Sequence, residues 1–258
     1  MIRSTPHQSS NSVRSVERTL DILVALEKAG QPLGLSELSR ATEIPKATTQ
    51  RLLSVLERRG FVQKERLLYH LGPGVVPLAG AFLSGNSLAR AALPVLEELA
   101  LLSDETVSLQ VRQGFDRVVI QRVQSRHSLG YILQVGQRLP LHVGAASRVL
   151  MLAMPEDELR RFLDTLGEMR LASGKPYSKE ALLAKLEEVR RQGFAVSWGE
   201  RESGVVSIAA PVSKTGRGTI AALALTGPAN RMTDEKIEHL SVEVRRAAVE
   251  VARLCSRV

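Results

Sequence analysis

A chain of 258 residues with a formal charge of +8 and a single cysteine, Cys255, is long enough for one large core or two smaller ones and favours polyanionic partners, and it excludes an internal disulfide or a cysteine-built metal cluster. Its longest apolar runs, such as "LGPGVVPLAGAFLSG", are broken by glycine and proline and fall short of the roughly 20 residues of a membrane span. The N-terminus lacks the apolar stretch of a signal peptide, so a cytoplasmic protein without membrane attachment is expected.

Residues 1–12 are polar and serine-rich, the composition of a disordered tail. From Ser15, "SVERTLDILVALEKAG" has helical spacing, with Leu20, Leu23 and Val24 as its apolar positions and Gly30 as its stop. A short second helix, "LSELSRAT", is predicted with Ser36 as N-cap, and a tight turn leads to Pro45, which opens a third helix in "IPKATTQRLLSVLERRG". Placing residues at intervals of roughly 100° puts Thr48, Leu52, Val55 and Leu56 on the buried face of that helix, points Lys46, Ala47, Gln50, Ser54 and Glu57 outward, and leaves Thr49 and Arg51 on the flanks. The runs "FVQKE" and "RLLYHLG" then read as a hairpin turning at Lys64, Glu65 and Arg66.

Three helices and a two-stranded wing within residues 13–74 describe a winged helix-turn-helix, a module whose third helix enters a DNA major groove. Gln50 offers a donor and an acceptor to a base edge, Ala47 and Thr49 can meet a thymine methyl, and Lys46 can reach guanine or phosphate. Thr48 and Arg51 complete the candidate reading surface. Lys64 and Arg66 on the wing, with Arg14 and Arg18 near the start of the first helix, are candidates for phosphate contacts that position the protein without reading sequence.

Residues 75–86 are predicted as a linker helix, and residues 87–258 alternate strand-like and helical segments. Strands are expected in "TVSLQVRQ" and "DRVVI" around a turn at Gly114, in "LGYILQVGQRLPLHV", and in "FAVSW", "VVSIAAPVS" and "GTIAALALTGP". Helices are expected in "AASRVLMLAM", after Pro155, between Ser178 and Gly193, and from Thr233 to the end. The pattern is that of an α+β domain with a mostly antiparallel sheet. The five histidines, at 7, 70, 127, 142 and 239, have no metal-binding spacing, no nucleophile-elbow motif is present, and "LASGKPYS" lacks a phosphate-cradling loop. Neither an enzyme nor a bound cofactor is expected.

Seven segments in order, "SVERTLDILVAL", "LGLSELSRATEIPKATTQRLLSVLERRGFV", "YHLGPGVVPLAG", "ETVSLQVRQGFDRVVIQRV", "VGQRLPLHVGAASRVLMLA", "RRQGFAVSWGERESGVVSIAAPV" and "GTIAALALTGP", resemble the IclR family of bacterial transcriptional regulators over residues 13–255. The resemblance implies a winged helix-turn-helix joined by a linker helix to a GAF/profilin-like effector-binding domain with an antiparallel sheet. It further implies homodimers or homotetramers that bind promoter DNA, with a palindromic site expected, and respond to a small organic acid or an aromatic compound; a repressor is the expected mode, with activation left open.

Carried over by motif, the effector-site candidates are Gly144, Ala145, Ala146 and Ser147 at a helix start, Ser197 and Ser207 on two strands, and Leu129 and Tyr131 in "LGYIL". Some family members carry an aspartate in place of Ser197 and a cysteine in place of Ser207, so the resemblance implies a more neutral site here. Small residues at 144–147 would leave helix N-terminal N–H groups open to a carboxylate, or serve only close packing. Trp198 stays open between pocket, core and interface. The competing reading is an architectural or constitutive DNA-binding protein, which would need no cavity in the second domain.

Overall fold

The computed structural model describes residues 13–127, 133–214, 216 and 218–256. The chain divides into two compact units, one ending at Gly85 and the other beginning at Asn86.

The first unit contains α1 (Arg14–Ala29), β1 (Leu33–Gly34), α2 (Leu35–Thr42), α3 (Lys46–Arg58), β2 (Val62–Glu65), β3 (Leu68–Leu71) and α4 (Val75–Gly85). Its core gathers Ile22 and Leu26 from α1, Leu38 from α2, Ile44 from the turn, Leu53 and Leu56 from α3, and Val62 and Tyr69 from the wing. The apolar face expected on α1 is therefore displaced. Leu23 is half-buried, while Leu20 and Val24 are exposed together with Val16, forming a second apolar stripe at helical spacing on the same helix.

The cap expected at Ser36 also moves. Helix α2 starts two residues earlier from Gly34, whose N–H donates to the Glu37 carboxylate at 2.7 Å. Glu37 stands three residues past the cap, the position from which a carboxylate reaches back. The hairpin turns at Arg66 and Leu67, and β1 adds a third strand in the order β1-β3-β2. At the foot of the wing, Gly72 lies so close to the chain at Gly60 that a Cβ would fall 2.4 Å from the Gly60 carbonyl oxygen. Only glycine fits there.

The second unit opens with α5 (Ser87–Ser103), capped by Asn86, whose side chain accepts from the Ala89 N–H at 2.9 Å. There follow β4 (Thr106–Gln113), β5 (Asp116–Val123), β6 (Arg138–Pro140), α6 (Ala145–Met151), α7 (Glu156–Thr165), β7 (Met169–Arg170), β8 (Pro176–Tyr177), α8 (Lys179–Gln192), β9 (Ala195–Trp198), β10 (Val205–Lys214), β11 (Gly218–Pro228) and α9 (Asp234–Cys255). Six strands form one antiparallel sheet in the order β6-β5-β4-β11-β10-β9, and β7 pairs with β8 apart from it. The strand character read into residues 133–143 survives only at Arg138–Pro140.

The two faces of the sheet differ in composition, as period-two alternation demands. Val107, Leu109, Val206, Ile208, Leu223 and Leu225 pack against α5 and α9. The opposite face sets Ala195, Ala209, Ala222 and Ala224 under α6 and α8. These four alanines let α6 sit close to the strands, and beside them the same face carries a strip of polar side chains.

Candidate DNA-reading surface and ligand cavity

The bend between α2 and α3 is built around one carbonyl. Ile44, buried at 3% exposure, accepts at its backbone oxygen from the Ser39 hydroxyl at 2.6 Å and from the Thr49 hydroxyl at 3.1 Å. Thr49 also donates its backbone N–H to the Pro45 carbonyl at 2.9 Å, and it is fully buried. Thr49 is thus a clamp of the turn and reads no base, contrary to the expectation for it. The buried face of α3 is Thr49, Leu53 and Leu56, with Thr48 and Leu52 half-buried and Val55 exposed. Leu53 turns the mean apolar direction away from Thr48 and towards Thr49.

Lys46, Ala47, Gln50 and Arg51 remain on the solvent side of the first two turns of α3. On the wing, Lys64 and Arg66 are exposed, and the Lys64 ammonium lies 5.5 Å from the Tyr69 ring centroid, a cation–π contact that holds it beside the strand. On α1, Arg14 is exposed and Arg18 half-buried. The first unit therefore presents a polar and basic surface on α3 and further cations on the wing and on α1.

In the second unit, a cavity of roughly 40 Å³ lies between the polar strip of the sheet and the start of α6. Five expected residues line it: Gly144, Ala145, Ala146, Ser197 and Ser207. Strand register explains the serines. Ser197 on β9 stands opposite Ser207 on β10, and Ser207 stands opposite Thr226 on β11, so three hydroxyls form a row across neighbouring strands. Ser207 and Thr226 share a hydrogen bond at 3.0 Å. Trp198, one residue on from Ser197 and 49% exposed, points to the other side and is neither core nor cavity lining.

Two expectations about this site change. Ser147 is buried beneath it, and its hydroxyl donates to the Val143 and Pro140 carbonyls at 2.7 and 3.1 Å, so it does not line the cavity. The Gly144 N–H, expected to be open to a carboxylate, already donates at 3.0 Å to a carboxylate of the protein, Glu200. Leu129 and Tyr131 lie outside the described residues.

Glu200, in the cavity wall, is the hub of a buried junction. Besides the Gly144 N–H, its oxygens accept from Arg148 at 2.7 and 2.8 Å and from Lys185 at 2.7 Å, while Arg148 also donates to the Val196 carbonyl. Burial pushes the Glu200 carboxyl up, but Arg148 and Lys185 outweigh it and hold the group below its ordinary range. Across the cavity stands Arg117, 5% exposed, which donates to Gln110 Oε1 and, at 3.4 Å, to the Val143 carbonyl. Burial first, and Arg201 second, push its pKa down to about 9, so it is a cation at neutral pH. Gly144 has φ +99°, and a Cβ there would come within 3.2 Å of Arg117 Nη2. The glycine thus serves both the turn into α6 and the space for the guanidinium.

Gln110, Arg117, Glu200 and Thr226 were missed by motif. The signal for the first was present in "TVSLQV", where an inward polar residue alternates with each apolar one. Arg117 looked like any charged residue next to a hairpin turn.

The IclR helix-turn-helix domain matches residues 15–66, and the bacterial transcriptional regulator IclR C-terminal domain matches residues 80–253. The chain is 30% identical over 246 residues to the HTH-type transcriptional repressor AllR of Salmonella paratyphi A, covering 95% of this chain and 90% of that one. Among solved structures, the IclR family transcriptional regulator from Brucella abortus superposes with a TM-score of 0.82 at 26% identity, over 97% of this chain and 95% of that one. The IclR transcriptional regulator from Alicyclobacillus acidocaldarius gives 0.81 at 25% identity, over 95% and 100%. With both domain families matched in order around a helix-turn-helix and a mixed α/β domain, the chain belongs to the IclR family and is a DNA-binding transcriptional regulator.

Proposed function

We propose that this regulator is a repressor whose hold on promoter DNA is modulated by a small organic acid bound in the cavity beside α6. The observation that carries the reading is the cavity itself: it is small and lined by a row of hydroxyls, by the buried Arg117, and by the acids Glu200 and Glu202, each matched by its own cation, in a domain whose opposite sheet face is solid aliphatic core. A purely architectural protein needs no such space. At roughly 40 Å³ the cavity has room for about three water molecules, the scale of a short-chain acid, whereas an aromatic ring needs on the order of 150 Å³. The repressor assignment is supported by the likeness to a relative named as a repressor.

In this reading residues 13–74 are the DNA-binding domain, 75–86 the linker helix, and 87–258 a GAF/profilin-like domain for effector binding and oligomerisation. Lys46, Ala47, Gln50 and Arg51 face the groove, with Thr48 at its edge, while Arg14, Arg18, Lys64 and Arg66 meet phosphates. The exposed apolar stripe of Val16, Leu20 and Val24 on α1 supports self-association, and a symmetric dimer calls for a palindromic site. Footprinting on the DNA adjoining the protein's own gene tests the whole. The expected result is a roughly palindromic protected site that is released by a two- to four-carbon acid. Protection that no such acid alters would favour a constitutive DNA-binding protein, and loss of all protection by folded protein would remove the assigned reading surface.

A further inference from the structure

Two arginines are buried on the α6 side of the sheet, and their surroundings are opposite. Arg148, 2% exposed, is met by both oxygens of Glu200 and by a backbone carbonyl. Arg117, 5% exposed, meets no carboxylate among the described residues. Its Nη1 and Nη2 are held by the neutral Gln110 side chain and the Val143 carbonyl, and its Nε is buried without a partner. Two acids, Glu200 and Glu202, also line the cavity, and each is matched by a cation of its own: Glu200 by Arg148 and Lys185, and Glu202 by Arg201 at 3.5 Å, while the adjacent Asp116 is met by Arg138 at 3.5 Å. A second cation, Arg201, lines the same cavity and disfavours the Arg117 charge.

A buried guanidinium without a counter-charge is costly, and a protein keeps one where an anion arrives from outside. We infer that Arg117 is the anchor of the ligand: the cavity takes a small monocarboxylate whose anion pairs with the Arg117 guanidinium and whose own hydroxyl or oxo oxygen meets the Ser197 and Ser207 hydroxyls. The Ser197 hydroxyl makes no hydrogen bond among the described residues, and the N–H of the cap residue Gly144 is occupied by Glu200. Gln110 orients the guanidinium from the adjacent strand, so its fork is set before the ligand enters. The inference rests on the cavity being the effector site.

The test uses the full chain and a fixed set of probes, acetate and lactate with their neutral counterparts acetamide and lactamide, measured by calorimetry on the wild type, Arg117→Gln and Arg117→Lys. An acid is expected to bind the wild type, to bind Arg117→Gln about a hundredfold more weakly, and to recover part of its affinity in Arg117→Lys. Its amide should bind at least as weakly as the acid binds Arg117→Gln. Equal binding of acid and amide, unchanged binding by Arg117→Gln, or no binding of either acid to the wild type would each overturn the proposal.

A ligand-free measurement guards against variants that misfold. Arg117→Met should melt at or above the wild type, whereas Arg148→Met should melt well below it, because only the latter strips a buried carboxylate, Glu200, of its buried cation and leaves it with the half-exposed Lys185 and the Gly144 N–H. An equal fall in both would make Arg117 part of the structural frame and overturn the assignment. The outcomes also separate the two readings. Acid that binds through Arg117 without changing DNA binding upholds the anchor and removes the effector role, while acid that releases DNA equally from wild type and Arg117→Gln does the reverse.

Discussion

The Ile44 carbonyl sits at the bend between α2 and α3 and takes hydrogen bonds from two side chains, Ser39 and Thr49. Replacing Thr49 by valine keeps the shape but leaves that buried carbonyl with one donor fewer, a loss of about 1 kcal/mol. Gln50, its exposed neighbour, has no such structural duty, since its side chain makes no hydrogen bond among the described residues. Three variants therefore separate three roles. Gln50→Ala is expected to relax base preference at one position by about 1–3 kcal/mol of discrimination. Lys64→Ala should weaken binding to all sequences alike and reduce the salt slope by about one. Thr49→Val should lower the melting temperature with base preference intact. Binding measured on a randomised duplex library, alongside thermal melts, checks all three. Identical preference profiles for Gln50→Ala and Lys64→Ala would remove the distinction between reading and positioning.

Helix α6 is held to its neighbours by charge as well as packing. Glu200, just beyond β9, ties Arg148 in α6, Lys185 in α8 and the Gly144 N–H into one buried junction. Glu200→Gln removes the charge that compensates Arg148 and is expected to cost about 3–5 kcal/mol in denaturant unfolding. The same junction sets the acid limit of the fold. Because the folded Glu200 carboxyl is held below its ordinary value of 4.5, its contribution is present above that pH and is lost as pH falls through the lower folded value. His142 acts earlier on the scale. Burial, and then the neighbouring Arg117, hold its imidazole below 6.5, so the unfolded chain takes up more protons than the folded one as pH drops through 6.5. Stability is therefore expected to fall in two stages on acidification. His142→Gln should abolish the upper stage and leave the lower one, as read from melting temperatures between roughly pH 7.5 and 4. A single stage unchanged by this substitution would exclude His142 as its source.

For the molecule as a whole, the formal charge of +8 bears on association more than on fold. In the proposed reading, phosphate contacts by the cations of α1, α3 and the wing would make operator binding a counterion-release process. With six or more such contacts, affinity should fall by about a thousandfold or more between roughly 50 and 200 mM salt. A flat dependence, measured by anisotropy on the footprinted site, would contradict phosphate anchoring by these residues. No helix among the described residues is long and apolar enough to cross a membrane.

Much of this protein is legible in the sequence because its signals are local. Gly30 and Gly193 stop helices, Ser178 and Thr233 cap them, and period-two alternation marks the strands, all through interactions between residues a few positions apart. The ordered motifs likewise announce both domains and five of the cavity residues. The inward face of α1 and α3 is less legible, because each helix carries more apolar residues than one face can bury, and only the neighbours it meets decide between Leu20 and Ile22 or between Thr48 and Thr49. Tertiary structure alone decides the chemistry of the cavity. Glu200 reaches Gly144 across 56 positions and Arg148 across 52, and these distant pairings show that one arginine is matched inside the protein while Arg117 is not. Charge compensation depends on distance in space, which sequence spacing does not encode.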